Sequence, residues 1–405
     1  MDGEKGLPMN VLLVSTSEKS GGGAIAARRL MDALNKNGVK AKMMVRDAAT
    51  QQKENSRTIV RVGNKIPKLL ERLAILPHVG FSRKRLWQVD IANAGIDITH
   101  TREFHDADII HLHWVCQGML SLDTIRRILT SGKRIVWTLH DEWPYLGVCH
   151  YRGNCTEEEC RHCPLMSGNT PYYIYTRKHA MYSQAPLTFI GCSQWIADRA
   201  QHALPSARVR HINNCIPAAL FHPTDMQQAR HALSLPQDRR LLLFCSQKVT
   251  DERKGMAYLT EALRQSRLPM ESLHLVIVGK DSEQIPVAEG IGITRLGTIG
   301  EQEMSQVYNA VDAFLTPSLQ DNLPNTIAEA MSCGTPCVGF DVGGIPEMID
   351  HKANGYVARY RDAADFAEGI RYVLSHDLRD AAYGKAAQAY NETIVAQQYI
   401  DIYQT

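Results

Sequence analysis

Short apolar runs alternate with helical patterns along almost the whole of this chain, and that alternation leaves few folds open. The first half contains NVLLVS (10–15), a helical pattern from about Ala24 to Lys36, KMMV (42–45), DIIHLH (108–113), RIVWTLH (134–140), LTFIGCS (187–193) and VRHIN (209–213). The second contains RLLLFCS (240–246), LHLVIVG (273–279), AFLTPS (313–318), PCVGFD (336–341) and GYVA (355–358). Such runs suit strands buried on both faces of a parallel sheet, with helices covering each side. Each half therefore reads as a doubly wound unit, which predicts an α/β protein of two Rossmann-like domains. The length of 405 residues agrees, being too great for one ordinary core.

The first domain is expected over 9–216 and the second over 217–385, because HPTDMQQARHALSLPQD (222–238) lacks strand character and carries two prolines. The segment 386–405 ends in IVAQQYIDIYQT, with apolar residues at helical spacing. In a protein of this kind the natural ligand site is the cleft between the carboxyl ends of the two sheets. Composition narrows the class further: 44% hydrophobic, 22% charged and a net charge of +2 describe a globular protein with no bias that calls for nucleic acid. No apolar run approaches the roughly 18 to 20 residues that span a bilayer, and MDGEKGLP lacks the apolar core of a secretion signal. A cytoplasmic chain is expected, with those first eight residues a disordered lead-in.

The richest stretch is DNLPNTIAEAMSCGTPCVGF (321–340), in which Asp321 is followed after seven positions by Glu329. Pro324 suits the first turn of a helix. Asn325 and Thr326 would then present backbone N–H groups at the positive end of the helix dipole, where anions bind. Glu329 lies one turn further in, within reach of a hydroxyl near such an anion. Helices that start with Pro and acidic residues are common, so the spacing gains meaning from what accompanies it. SGGGAIAARRL places Gly22 and Gly23 at a helix start, where backbone can approach an anionic ligand, although a plain flexible turn reads the same way. LLLFCSQKVTDERKG brings Lys248 and Lys254 to the loop after the strand that opens the second sheet, where cations can neutralise a leaving diphosphate. A solvated charged loop is the alternative for Lys248. TLHDEWPY puts His140 and Asp141 at a strand end, and DIIHLHW does the same for His111, His113 and Trp114.

Together these segments resemble the retaining, nucleotide-sugar-dependent glycosyltransferases of the GT-B architecture, in particular the large family 4 with its capsule and exopolysaccharide enzymes. The acidic-x7-Glu spacing carries the resemblance, with Asp321 where the family usually has Glu. DVGGIPE (341–347) and INNCIP (212–217) are similar to two further family segments, with Cys215 in place of the usual Gly. The resemblance implies transfer of a hexose from a nucleoside diphosphate sugar to a glycan or lipid-linked glycan in polysaccharide biosynthesis. It implies that Gly22 and Gly23 lie against the donor and acceptor, and that Lys254 and Lys248 face the diphosphate, Lys248 standing where the family has Arg. Asn325 and Thr326 would complete the anion site, Glu329 would bind the ribose, and Asp321 and His140 would contact the transferred sugar. His113, Trp114 and Asp141 fall on the acceptor side, with Asp141 a candidate to orient the His140 ring. Catalysis would need no cofactor, and the terminal helix would cross back onto the first domain. The rival readings are a sugar-nucleotide epimerase of the same architecture and a non-catalytic glycan- or nucleotide-binding protein.

Two segments stand apart from this pattern. Cys149, Cys155, Cys160 and Cys163 form a cysteine-rich insertion (149–163), C-x5-C-x4-C-x2-C, whose closing C-x2-C has the spacing of a metal knuckle. In a chain read as cytosolic the cluster favours a structural zinc, with His150 and His162 as alternate ligands; paired disulfides or free thiols remain open. Similar insertions occur in a subset of polysaccharide-type family 4 enzymes. Residues 53–85 hold nine Lys or Arg (Lys53, Arg57, Arg61, Lys65, Lys68, Arg72, Arg83, Lys84 and Arg85) against Glu54 and Glu71, interleaved with IPKLLERLAIL. That pattern fits peripheral contact with an anionic membrane or, equally, a solvated basic helix.

Overall fold

The computed structural model describes residues 9–48, 58–153, 155–156, 159–284 and 289–405. The first eight residues, and Lys53, Glu54 and Arg57 of the basic segment, lie outside the described residues. The chain divides into two compact units, one running to Asn213 and including Val395–Thr405, the other comprising Asn214–Ile394.

The first unit is built on seven strands: β1 (Asn10–Ser17), β2 (Lys40–Asp47), β3 (Ile59–Arg61), β4 (Ile109–Leu112), β5 (Arg134–Leu139), β6 (Leu187–Gly191) and β7 (Arg208–His211). They lie in the order β3-β2-β1-β4-β5-β6-β7, and every pair is parallel. Val11 pairs with Ala41 on one side and Ile109 on the other, so the chain winds outward from β1 in one direction and then restarts at β4 in the other. At such a reversal the loops leave a crevice at the carboxyl ends, and the loops after β1, β4 and β5 carry Gly22 and Gly23, His113 and Trp114, and His140. The core beneath them is aromatic: Trp137, Trp143, Tyr145 and Phe189 are all buried. Burial of side chains of this size contributes about 2–3 kcal/mol each before the entropic cost of ordering them.

The second unit repeats the plan with β8 (Arg240–Lys248), β9 (Leu273–Lys280), β10 (Gly292–Gly297), β11 (Ala313–Thr316), β12 (Cys337–Phe340) and β13 (Gly355–Ala358). Their order is β10-β9-β8-β11-β12-β13, again all parallel, with the reversal between β8 and β11. Both doubly wound α/β sheets read from the apolar runs are present. Two strands gave no such run. Three-residue β3 and the half-exposed GITRLG of β10 each close an edge, where a strand is shielded on fewer sides and does not need continuous apolar sequence.

The unit boundaries differ from those read in the sequence. Asn214 already belongs to the second unit, its side chain bonding Asn325 there. Residues 386–394 belong to it too, because the helix Arg379–Ala389 is tied down by Arg379 to the Cys333 carbonyl and by Lys385 to Asp350. From Val395 the terminal helix completes the first unit, where Tyr399 and Tyr403 are buried and bond Thr138 and His111.

Candidate functional site

In the second unit three loops that follow neighbouring strands are locked together around Asp321. After β8, the turn Glu252–Lys254 ends at Gly255, whose φ is 71° and where a Cβ would stand 1.8 Å from the Pro317 carbonyl oxygen. Only glycine permits both the left-handed backbone and that approach. The Leu319 N–H donates to the Arg253 carbonyl at 2.7 Å, fastening this turn to the loop after β11. After β12, Gly343 has a φ of 60° and would place a Cβ 1.8 Å from the Asp321 carbonyl, while the Gly344 N–H donates to the Asn322 carbonyl at 2.8 Å. The outcome is a fixed meeting of Lys254 Nζ with Asp321 Oδ2 at 2.6 Å. The two side chains keep 30% and 14% of their exposure, so the pair is reachable and its net worth is about 1 kcal/mol, far below the gross Coulomb attraction.

The helix Asn325–Ser332 starts directly after this loop, with Pro324 at its cap. Asn325 is held by the Asn214 amide, which donates to its side-chain oxygen at 2.9 Å, and Thr326 follows at the second helical position. Glu329 is buried one turn in, where its Oε2 accepts from the Tyr308 hydroxyl at 2.8 Å. Lys248 behaves differently. It is 64% exposed and its ammonium sits 3.6 Å from Asp281, so the structure gives it no bond to Lys254 or Asp321.

The first unit gathers histidines instead of a charged pair. His113 Nδ1 lies 3.0 Å from His140 Nε2 and its ring centroid is 4.2 Å from that of His111. His111 is anchored on both nitrogens, by Tyr403 at 2.6 Å and Thr138 at 2.8 Å. Burial pushes the His111 pKa down to about 3 and that of His140 to about 4, and holds His113 well below its ordinary value. At neutral pH the three rings are uncharged, fit to exchange hydrogen bonds and unfit to balance a phosphate. Gly23 lies close against this cluster: a Cβ there would stand 3.0 Å from the His140 ring, tighter than ordinary contact.

Asp141 does not orient His140, whose ring is positioned by His113. Its Oδ2 accepts from the Trp114 indole at 2.8 Å and meets His150 Nδ1 at 2.7 Å, and its Oδ1 accepts from the Trp143 N–H at 3.1 Å. His150 reaches on to Asp90 at 2.5 Å, and Asp90 pairs with Arg72. Burial opposes a charge on His150, but the Asp141 and Asp90 carboxylates outweigh it and push its pKa up to about 10. With both ring nitrogens committed, His150 is not an alternate ligand for the cysteine cluster. Asp90, Cys116 and His150 are the one group of metal-ligating types within 4.8 Å of one another among the described residues. Arg72 and the charged His150 already balance Asp90, so this is a buried ion network.

All ten cysteines are free thiols. The Cys149 thiol donates a hydrogen bond to the Cys163 sulfur, which also accepts the N–H groups of Leu165 and Met166, and Cys160 accepts from Gly147 at 3.3 Å. Backbone N–H groups aimed at sulfur favour thiolates, the form that binds zinc. No three of the four sulfurs come within 4.8 Å of one another, so a bound ion would have to draw them in. Lys178, fully buried, donates to the carbonyls of Trp143, Leu146 and Gly147 and so clamps the chain that leads into the cluster.

Tyr308, Asn214 and Tyr403 were not legible as site residues. Tyr308 and Tyr403 carry no local motif, whereas Asn214 lies inside INNCIP, where a paired asparagine next to an interdomain segment was the available signal.

Residues 20–220 match the family described as Glycosyltransferase Family 4, and residues 239–376 the one described as Glycosyl transferases group 1. A D-inositol 3-phosphate glycosyltransferase of Corynebacterium jeikeium is 24% identical over 386 residues, covering 89% of this chain and 85% of that one. The putative colanic acid biosynthesis glycosyl transferase WcaC of Escherichia coli is 22% identical over 319 residues, covering 73% and 76%. Among solved structures, a sucrose-phosphate synthase from Thermosynechococcus elongatus superposes with a TM-score of 0.71 at 20% identity, covering 98% of each chain. Anabaena HepE in complex with UDP-glucose does so with a TM-score of 0.65 at 16% identity, covering 97% and 99%. With one match to each doubly wound sheet, the chain belongs to the family 4 glycosyltransferases of the GT-B architecture.

Proposed function

We propose that this glycosyltransferase moves a hexose from a nucleoside diphosphate sugar to a glycan or lipid-linked glycan acceptor, with retention at the anomeric carbon. The observation that carries this reading is the Lys254–Asp321 pair, a cation and a carboxylate fixed 2.6 Å apart by three interlocked loops. Lys254 faces the diphosphate, where negative charge grows as the bond from the anomeric carbon to the phosphate oxygen breaks. Asp321 keeps the ammonium aimed and offers its second oxygen to a sugar hydroxyl. The acceptor hydroxyl attacks on the face from which the diphosphate leaves; the electron pair of the broken bond goes to the phosphate oxygen, which takes the acceptor proton.

Within this reading Glu329, held by Tyr308, bonds the ribose, and the start of the helix at Asn325 and Thr326 adds its dipole to the anion site. These groups supply the positive potential, so the transfer itself needs no divalent ion. His140, uncharged and backed by His113, is a hydrogen-bonding contact for the sugar, with Gly22 and Gly23 beside it. That HepE binds UDP-glucose, and that WcaC is named for colanic acid, supports a nucleotide-sugar donor and a polysaccharide product. The cysteine cluster is proposed to hold a structural zinc. Elemental analysis should find about one equivalent, and metal-free protein with four titratable thiols would remove it.

A panel of nucleoside diphosphate sugars, read first by thermal shift and then by product mass and NMR, tests the function. Transfer that requires acceptor and keeps the anomeric configuration is expected. Donor rearrangement without acceptor would favour an epimerase, binding without turnover a non-catalytic protein, and an inverted product would overturn the mechanism.

A further inference from the structure

The helix Ile66–Ile75 in the first unit is turned inside out. Ile66, Leu69, Leu70 and Leu73 are 60%, 59%, 52% and 57% exposed, whereas Glu71 and Arg72 are buried. The four apolar residues fall at i, i+3, i+4 and i+7, so they form one continuous stripe along the outer face. Phe81 and Trp87, in the turn and short helix that follow, are also exposed. Six of the ten exposed large hydrophobic side chains among the described residues therefore lie between 66 and 87, a clustering that chance scatter does not give.

The helix cannot roll to hide this stripe. Glu71 accepts the N–H groups of Ile91 and Ala92 at 3.1 and 2.7 Å, and Arg72 donates to the Val89 carbonyl at 3.0 Å and pairs with Asp90. Turning the leucines inward would expel those paired charges and strand their partners in the core. Around the stripe the exposed charge of residues 58–89 is all of one sign: Arg61, Lys65, Arg83, Lys84 and Arg85 are exposed, Lys68 is half-buried beneath Trp87 at 5.2 Å, and the one acid, Glu71, is buried.

We propose that this face docks on the surface of an anionic lipid bilayer, the leucine stripe entering the headgroup boundary and the basic residues meeting lipid phosphates. An apolar stripe rimmed by cations is the form that interfacial helices take. A second copy of the chain is a poorer occupant, because a twofold contact would set this basic rim against itself. Residues 49–57 (ATQQKENSR) are too polar to cover four large aliphatic side chains.

Vesicle co-sedimentation of the full chain tests the docking, with phosphatidylcholine alone and with phosphatidylcholine plus phosphatidylglycerol. Binding is expected to the mixed vesicles only, to weaken with added salt, and to fall by about tenfold or more in Leu69→Glu/Leu73→Glu. These positions are exposed, so the variant should keep the wild-type circular dichroism and melting temperature. As a second readout, brominated lipid should quench tryptophan fluorescence in the wild type and markedly less in Trp87→Phe. Equal binding to neutral vesicles, no binding to either, or a lipid-free dimer that the double variant dissolves would each overturn the proposal.

Discussion

The loops after β8 and β11 and the loops after β1, β4 and β5 flank the reversal points of their own sheets, yet they present opposite chemistry. In the second unit a lysine and a carboxylate are held in contact and left reachable. In the first, three histidines are packed together and kept neutral by burial. The difference teaches what each can do: a partly exposed ion pair can answer a change of charge on a ligand, whereas desolvated imidazoles can only exchange hydrogen bonds near neutral pH. Strand ends in a doubly wound sheet position side chains; the surrounding burial decides which chemistry they are fit for.

The largest effect should come from removing the cation. Lys254→Ala is expected to lower transfer several hundredfold, about 3–4 kcal/mol of transition-state stabilisation, with the melting temperature nearly unchanged. Turnover close to wild type would sever the link between this pair and the leaving group. On the histidine side the contrast is tested by acid. The folded pKa of His111 is depressed, to about 3, below an unfolded value of about 6.5. Its contribution is therefore present above pH about 6.5 and is lost as pH falls toward 3, on the order of 3 kcal/mol by pH 4, with a smaller share from the half-buried His140. His150 has the opposite sign: raised to about 10, its contribution is present below about 6.5 and lost as pH climbs through 10. Melting temperatures should fall on both sides of neutrality, and a flat profile from pH 7 to 4 would show the histidines to be hydrated and chargeable.

Smaller effects separate the members of the charged group. Glu329→Gln should weaken nucleotide binding about tenfold, since an amide replaces a charge-assisted acceptor, with little change in folding. Asp321→Asn should split binding from chemistry: freeing Lys254 from its partner tightens nucleoside diphosphate binding a few-fold, by about 1 kcal/mol, while transfer slows. Lys248→Ala should change either quantity by less than about threefold, because an exposed lysine 3.6 Å from Asp281 has little to lose.

Much of this was legible in the chain, for physical reasons that also mark where legibility stops. GYVA at 355–358 reads as a buried strand and is β13 without a residue's error, because three of its four residues are buried even though it closes an edge of its sheet. The edge strand β10 escaped because it is half-exposed. Asp321, Lys254 and Glu329 stood out because one local stretch encodes a helix start and another a glycine turn. Tyr308, 21 residues before Glu329 in sequence, and Tyr403, 292 residues after His111, act through contacts that no local pattern records. Spacing alone could not show that Asp141 serves Trp114 and His150, nor that the basic segment around 66–75 carries its leucines outward.

A calorimetric titration of nucleoside diphosphates into the wild type, Lys254→Ala and Lys248→Ala tests most directly whether the interlocked pair is the seat of the leaving group. The wild type should bind one diphosphate per chain, Lys254→Ala should lose at least about tenfold in affinity, and Lys248→Ala should match the wild type. Undiminished binding by Lys254→Ala, or a loss confined to Lys248→Ala, would contradict the account.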